Sequence, residues 1–220
     1  DMTYLTKKTR KMLDEAGWTE CTITVSNSLD EYLIQDLWMQ DAKIDAFGVG
    51  ERLITAKSEP VFGCVYKLVA VEDKDGNIVP KIKISENVGK ITTPHFKKLY
   101  RFYGRDTGKA IADYLTVYDE TVDDSQNLEI FDPDATWKRK EVYHFEAREL
   151  LVPIYQKGKL VYKRPGIEEI KKYCAEQVDT LWDEVKRFDN PHNYYVDLSQ
   201  KLYDIKTELL NEKNERYEKN

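Results

Sequence analysis

Residues 21–50 read CTITVSNSLDEYLIQDLWMQDAKIDAFGVG, and their pattern indicates a strand, a helix and a second strand. The β-branched run 21–25 predicts the first strand, and Ser28 with Glu31 has the spacing of a capping box that opens a helix. Residues 43–47 predict the second strand. Two short strands joined by a helix are typical of a parallel sheet with crossover connections.

The pattern changes on either side of this segment. Upstream, apolar residues at helical spacing predict a helix over 2–16 that stops at Gly17. Downstream, paired strand-like runs flank turn residues and predict three antiparallel hairpins, over 63–84, 99–118 and 151–163, with a loop over 119–134. Two terminal helices are predicted over 166–188, stopped by Asn190-Pro191, and over 198–210, with Ser199 near its start.

The predicted fold class is therefore α/β with two parts. Residues 1–70 form the parallel part, and residues 71–220 form a mixed region of antiparallel hairpins and C-terminal helices. A hydrophobic fraction of 41% in 220 residues is enough for a packed core and argues against disorder. The net charge of −6 argues against a nucleic-acid partner, and no apolar run has the length of a membrane-spanning helix.

The strongest local signal for chemistry is Gly48-Val49-Gly50, directly after the second predicted strand. Two glycines one residue apart allow backbone N–H groups to approach an anion closely, and a following helical turn adds its positive end. The alternative is a tight turn that binds nothing. Ser26 and Asn27 end the preceding strand, where capping of the turn competes with ligand contact as their role.

Several segments together resemble one enzyme family, nicotinate phosphoribosyltransferase. They are residues 25–32 (VSNSLDEY), 47–55 (FGVGERLIT), 60–68 (PVFGCVYKL), 149–153 (ELLVP) and 190–192 (NPH). Asp1 resembles the last residue of the Asp-Ser-Gly-Asp motif of that family. The resemblance implies that the chain corresponds to the C-terminal half of the enzyme, with the last strands and helices of an irregular TIM-like (β/α) barrel.

The resemblance also implies an activity. The family joins nicotinate to phosphoribosyl pyrophosphate, coupled to ATP hydrolysis with Mg²⁺, and releases nicotinate mononucleotide and pyrophosphate in cytoplasmic NAD salvage. Homodimers are typical, and this half is expected to be inactive and to bind neither cofactor by itself. The alternatives are a non-catalytic folding or oligomerisation module, and a related phosphoribosyltransferase that uses nicotinamide or quinolinate.

Site residues follow from the resemblance position by position. No catalytic residue and no metal ligand is expected in this half. The family pattern implies that the 5′-phosphate is held by Gly48, Val49, Gly50, Glu51 and Thr55, and that the ribose hydroxyls are held by Asp1 and Asn27. Further candidate anion contacts are Arg52, Lys57 and Lys67, where Lys57 lies in a polar loop and has an exposed loop lysine as its alternative role. A carboxylate at Glu51 would repel a phosphate unless Arg52 or a neighbouring lysine neutralises it.

Overall fold

A computed structural model describes residues 1–218, with the side chains of residues 1–212. The chain forms two compact units, Asp1–Val65 and the residues from Tyr66 onward. The limits of the functional domains, 1–70 and 71–220 in the sequence analysis, stay a prediction. Among the described residues, no helix combines the length and the apolar character needed to cross a membrane.

The first unit contains short strands separated by helices. Its elements are α1 (Met2–Glu15), β1 (Thr24–Ser26), α2 (Glu31–Met39), β2 (Ala46–Gly48) and α3 (Glu51–Ile54). β1 and β2 pair in parallel, with Ser26 opposite Gly48. The connection between them contains α2, so the predicted strand–helix–strand unit is confirmed. Gly17 has φ +83 and follows the end of α1, as predicted.

Polar contacts attach the segments that precede β1 and β2 to α1 and to each other. The buried Thr6 hydroxyl accepts a hydrogen bond from the Lys43 amide at 3.2 Å. The Asp45 carboxylate accepts one from the Ile23 amide at 2.6 Å. The guanidinium of Arg10 donates to the carbonyls of Trp18 and Cys21, at 2.8 and 2.6 Å. These bonds satisfy backbone groups of a connection that has little secondary structure of its own.

The predicted cap of α2 was wrong by two residues. Asp30, with φ −138, is the N-cap, and its carboxylate accepts a hydrogen bond from the Leu33 amide at 2.9 Å. Ser28 has φ +48, a left-handed conformation, whereas an N-cap residue needs an extended backbone. Leu29 between them is 1% exposed and anchors the turn.

The second unit is built mainly from antiparallel strands. Its elements are β3 (Ala70–Glu72), β4 (Ile78–Pro80), a 3₁₀ turn (Val88–Lys90), β5 (Lys97–Gly104), β6 (Ala110–Val117), β7 (Leu128–Phe131), β8 (Arg139–Val142), β9 (Phe145–Glu149), β10 (Tyr155–Gln156), β11 (Lys159–Leu160), α4 (Ile167–Asp179), β12 (Val196–Leu198) and α5 (Gln200–Glu218). The three predicted hairpins are confirmed as β3–β4, β5–β6 and β10–β11, although the first and the last have much shorter strands than predicted.

A four-stranded mixed sheet, in the order β12-β6-β5-β9, organises this unit. β5 and β6 are antiparallel, and β12 is parallel to β6. The core of this sheet packs against the β7–β8 hairpin and consists of Tyr100, Phe102, Ala112, Tyr114, Ile130, Val142 and Phe145. The alternation of these side chains along β5 and β6 explains why the sequence predicted this hairpin.

An ion pair crosses the centre of the sheet. Arg101 on β5 faces Asp113 on β6, and its Nε and Nη2 atoms donate to the two carboxylate oxygens at 2.7 and 2.9 Å. The Tyr194 hydroxyl donates to the same carboxylate at 3.0 Å. Hydrogen bonding to Asp113 raises the pKa of Arg101 above its usual value. The pair is therefore bidentate and charged, and it fixes the register of the two strands.

Three features of the second unit differ from prediction. The acidic stretch 119–134 was predicted to be a loop, but it contains β7, whose Ile130 is 3% exposed. β9 and β12 were not predicted, because their pairing partners lie far away in sequence. The helix predicted over 166–188 ends at Asp179, and the carbonyl of the next residue, Thr180, accepts a hydrogen bond from the Ala110 amide on β6 at 2.8 Å.

The last helix begins as predicted and extends further. Ser199 caps α5, because its hydroxyl oxygen accepts a hydrogen bond from the Leu202 amide at 3.2 Å. The same hydroxyl donates to Glu120 at 2.7 Å. Leu202 is fully buried against Val117 and Leu198. α5 then continues to Glu218, beyond the predicted end at 210.

Asp197 of β12 gives this unit a pH-dependent stability. The side chain is 3% exposed, and burial together with the neighbouring Asp132 raises its pKa to about 6, although Lys140 partly opposes the shift. An unfolded Asp has a pKa of about 4, so the folded state holds this proton to higher pH. We expect Asp197 to lower the free energy of unfolding as the pH rises from about 4 to about 6.

Urea unfolding of the protein between pH 4 and pH 7 measures this effect. Asp197→Asn should lack that contribution and be more stable than the parent above pH 6, because the amide does not ionise. Asp75→Asn, at an exposed turn carboxylate, should keep the pH dependence of the parent. Equal pH dependence in the parent and in Asp197→Asn would contradict the burial of an ionisable carboxyl group.

Candidate functional site

The candidate site lies at the edge where β1 and β2 end. Because the strands are parallel, the residues after Ser26 and the residues after Gly48 leave the sheet at the same edge. The Ser26 hydroxyl donates to the Gly48 carbonyl at 3.1 Å. A Cβ atom on Gly48 would lie 3.1 Å from the Ser26 Cβ atom. The two connections therefore touch, and a side chain at position 48 would require Ser26 to move by a few tenths of an ångström.

The loop after β2 presents unpaired backbone donors. The amide N–H groups of Val49, Gly50 and Glu51 donate no hydrogen bond within the described part of the chain. Gly50 precedes α3, which has no side-chain cap. Consecutive free N–H groups carry partial positive charge and suit an anion. The loop is at the surface, with Gly48, Gly50 and Glu51 exposed.

Two ion pairs balance the charges around this loop. Lys57 Nζ lies 3.8 Å from a carboxylate oxygen of Glu51. Arg52 Nη1 donates to the Asp30 carboxylate at 2.7 Å, and Asp30 in turn caps α2. A neighbouring lysine thus neutralises Glu51, whereas Arg52 connects the start of α3 to the start of α2. The backbone donors, rather than an unpaired side chain, are the free anion-binding groups of this loop.

A small pocket adjoins these ion pairs. Its volume is about 140 Å³, and it is lined by Asp30, Glu31, Tyr32, Arg52, Lys57 and Ser58. Pockets for whole ligands usually exceed about 300 Å³. This pocket is therefore large enough for a single phosphate group and too small for a nucleotide. Sequence reasoning missed Asp30, because no local signal connects it to Arg52, 22 positions away.

The remaining candidate residues lie in different settings. The Thr55 hydroxyl donates to the Glu51 carbonyl at 2.8 Å, so its proton is already used in a hydrogen bond with α3. Asp1 caps α1, accepting a hydrogen bond from the Tyr4 amide at 3.0 Å. Asn27 directly follows β1 with φ +144. Lys67 belongs to the second unit and lines a different surface groove, with Lys81 and Lys83. The ligand contacts assigned to all these residues stay predictions.

No metal site accompanies the loop. Among the side chains that the structure describes, those of residues 1–212, no group of three or more His, Cys, Asp or Glu could hold a metal ion. The chemical capacity of the loop after β2 is to bind an anion through backbone donors at the edge of a parallel sheet.

The close approach at Gly48 is testable by substitution. Gly48→Ala should lower the free energy of unfolding by about 1 kcal/mol, because the new methyl group presses on Ser26. The double variant Ser26→Gly with Gly48→Ala should regain part of this loss, since the opposing side chain is gone. Gly63→Ala is the matched control, because nothing lies within 4 Å of its Cβ position. Equal unfolding midpoints for the two single alanine variants would contradict the contact.

Comparison with known proteins gives consistent matches. The family model described as nicotinate phosphoribosyltransferase C-terminal domain matches residues 96–206, half of the chain. A Bacillus subtilis protein named nicotinate phosphoribosyltransferase is 44% identical over 99% of this chain, which covers 44% of that protein. A Caenorhabditis elegans protein of the same name is 34% identical over 92% of this chain and 37% of its own length.

A solved structure matches as well. The crystal structure of human nicotinic acid phosphoribosyltransferase superposes on 96% of this chain and 38% of its own, with a TM-score of 0.66 and 22% sequence identity. That likeness shows a shared mixed α/β fold. The chain spans less than half the length of the relatives it matches. On the match over residues 96–206, the chain belongs to the nicotinate phosphoribosyltransferase family, through its C-terminal domain.

Proposed function

We propose that this chain is the C-terminal part of an enzyme that converts nicotinate and phosphoribosyl pyrophosphate to nicotinate mononucleotide and pyrophosphate. In this proposal ATP is hydrolysed to ADP and phosphate, and the reaction serves NAD salvage. The observation that carries the proposal is the 44% identity with the Bacillus subtilis relative, because it extends over 99% of the chain and so includes both loops of the candidate site.

The role of the chain in the reaction is to hold the sugar. The nitrogen of nicotinate would form a bond to the anomeric carbon of the ribose while pyrophosphate leaves with the electron pair of the broken bond. Such a displacement develops positive charge on the sugar, so positioning and electrostatics matter more than proton transfer. The N–H groups of Val49, Gly50 and Glu51 would hold the 5′-phosphate. Asp1 and Asn27 would hold the ribose hydroxyls.

The paired charges support this assignment. Glu51 would repel a bound phosphate, but Lys57 lies 3.8 Å from its carboxylate and offsets that repulsion. Arg52 is held by Asp30 and would act by fixing the start of α3. Thr55 and Lys67 remain proposed phosphate contacts. ATP and Mg²⁺ would bind through residues outside this chain, as the family resemblance implies.

The proposal extends to architecture and assembly. We infer that β1 and β2 are the last strands of an irregular (β/α) barrel, because they form a parallel pair with a helical crossover and two open edges. Barrel loops that follow the last strands are the usual phosphate site of such folds. We further propose a cytoplasmic homodimer of the full-length enzyme, as the family resemblance implies.

A chimera tests the proposed activity. The matching segment of the Bacillus subtilis relative would be replaced by residues 1–220, and pyrophosphate release would be measured with phosphoribosyl pyrophosphate and ATP. We expect release that depends on nicotinate, because the chain would supply the phosphate loop to the remaining part of the enzyme. Residues 1–220 alone should release none.

Solubility and a cooperative melt of the chimera are the controls for folding. A folded chimera without nicotinate-dependent release would contradict the proposal and favour a non-catalytic module. Base choice is better tested on the full-length enzyme, because the groups that contact the base are proposed to lie outside this chain. Release with nicotinamide or quinolinate in place of nicotinate would identify a related phosphoribosyltransferase.

The pairing of Glu51 with Lys57 makes a second prediction in the same assay. Lys57→Ala should raise the KM for phosphoribosyl pyrophosphate about fivefold, because it leaves the Glu51 carboxylate unneutralised beside the phosphate; an unscreened charge there is worth about 1 kcal/mol. Adding Glu51→Gln should reverse most of the increase. Lys11→Ala, which breaks an exposed pair with Glu15 on α1, is the matched control and should leave the KM unchanged. An unchanged KM in Lys57→Ala would place the phosphate elsewhere.

A further inference from the structure

A separate cavity lies in the second unit, beside the mixed sheet. Its volume is about 400 Å³, within the range of small-molecule sites. Four segments that are distant in sequence line it: Ile111 and Ala112 of β6, Ile130 to Asp132 at the end of β7, Lys138 to Lys140 at the start of β8, and Tyr195 with Asp197 at β12. None of these residues belongs to the candidate phosphate site.

The buried end of the cavity carries an unpartnered carboxylate. Asp197 is 3% exposed and receives no hydrogen bond or ion pair from the described residues. The carboxylate oxygens of Asp197 nevertheless keep some accessible surface. Among the described residues, Thr116 Oγ1 is the one side-chain polar atom that has neither accessible surface nor a hydrogen-bond partner. A buried carboxylate without a partner is costly, and native structures usually explain one by a ligand or by water. The remaining access of Asp197 is to the cavity that it lines.

The mouth of the cavity carries an unpartnered cation. Lys138 pairs with Asp132 at 3.7 Å, and Arg139 pairs with Glu129 while its guanidinium lies 5.0 Å from the Phe131 ring centre. The ammonium group of Lys140 forms no hydrogen bond or ion pair with the described side chains. It is exposed, yet it lies close enough to Asp197 to lower the pKa of that carboxyl group. A free ammonium group and a free carboxylate therefore share one cavity.

The walls between these two charges are apolar and locally distorted. The register of β5 and β6 shifts after Phe102, so Ala112 faces Phe102 while Ala110 faces Tyr103. Ile111 is the extra residue of this bulge, and it is one of the residues that line the cavity. Bulges commonly redirect a side chain next to a binding site. Ile111, Ile130 and Phe131 offer a surface for a flat or branched apolar group.

We propose that this cavity binds a small zwitterion with an apolar body, an amino-acid-like molecule whose ammonium group pairs with Asp197 and whose anionic group pairs with Lys140. The ammonium group supplies the donors that Asp197 lacks, and the apolar body covers Ile111 and Phe131. The charged and titratable groups that surround Asp197 are Asp132, Lys138, Arg139 and Lys140 from the β7–β8 hairpin, Tyr114 from β6 and Tyr195 from its own segment. The site would be independent of the proposed phosphoribosyl transfer.

Binding should depend on pH in a defined direction. An ammonium group binds the ionised form of Asp197, and its pKa in the empty cavity is about 6. The affinity should therefore be about tenfold lower at pH 5 than at pH 7.5, since roughly one carboxyl group in ten is ionised at pH 5.

Ligand-observed NMR titration of the full-length protein tests the proposal with simple probes. We expect 4-(aminomethyl)benzoate to bind saturably, benzylamine to bind more weakly, and benzoate and benzyl alcohol not to bind. Asp197→Asn should weaken the binding of 4-(aminomethyl)benzoate at least tenfold. The Lys140→Gln variant should bind 4-(aminomethyl)benzoate only as tightly as the parent protein binds benzylamine. Glu141→Gln, on the same strand but outside the cavity, is the matched control and should change neither value.

Thermal unfolding of each variant keeps the test interpretable. Asp197→Asn removes a buried charge and should fold at least as well as the parent at pH 7.5. Absence of saturable binding by 4-(aminomethyl)benzoate to the folded parent would overturn the proposal. Equal binding to the parent and to Asp197→Asn would also overturn it. Equal affinities for benzylamine and for the zwitterion would overturn the role of Lys140.

Discussion

The candidate phosphate site depends on the parallel pairing of β1 with β2. This pairing brings two loops to one edge, where Ser26 approaches Gly48 so closely that a Cβ atom on Gly48 would lie 3.1 Å from the Ser26 Cβ atom. The backbone after Gly48 then emerges with three N–H groups unpaired. A one-residue slip of either strand would move Gly48 away from Ser26 and redirect these groups. The anion-binding character of the loop is therefore a consequence of strand register.

The charged side chains around the loop have a different role from the backbone donors. Lys57 offsets Glu51, and Asp30 holds Arg52, so both of these cations next to the loop already have a carboxylate partner. Exposed ion pairs of this kind contribute little to stability. Their effect is to offset the carboxylates of Glu51 and Asp30, so that the backbone donors are the groups that attract an anion. The central ion pair of the second unit has a structural role instead. Arg101 and Asp113 are mostly buried, and their pairing fixes the sheet.

Local patterns were sufficient for part of this structure. Strand-like runs on both sides of a turn predicted a hairpin over 99–118, which the structure contains as β5–β6. Gly17 and Ser199 marked helix ends as predicted. The spacing of Gly48 and Gly50 after a strand indicated the loop. Ser28 looked like a helix cap, but its left-handed backbone left that role to Asp30.

Long-range pairings were not readable in the same way. β12 is a strand because Val196 lies opposite Asp113, more than eighty positions earlier, and its own three residues carry no strand signal. The contact between Arg52 and Asp30 joins two helix starts whose distance depends on the strand pairing. The cavity around Asp197 is lined by four segments that are separated in sequence, so no local sequence motif predicts it.

Amide hydrogen exchange tests the anion-binding loop most directly. The full-length enzyme would be compared with and without saturating nicotinate mononucleotide, with attention to the amides of Val49, Gly50 and Glu51. Exchange at these three amides should slow by at least tenfold on binding, because each would donate to the 5′-phosphate. Exchange at the exposed turn of Asp75 and Gly76 should stay the same. Unchanged exchange at Val49, Gly50 and Glu51, with the ligand bound, would contradict the phosphate-binding role of the loop.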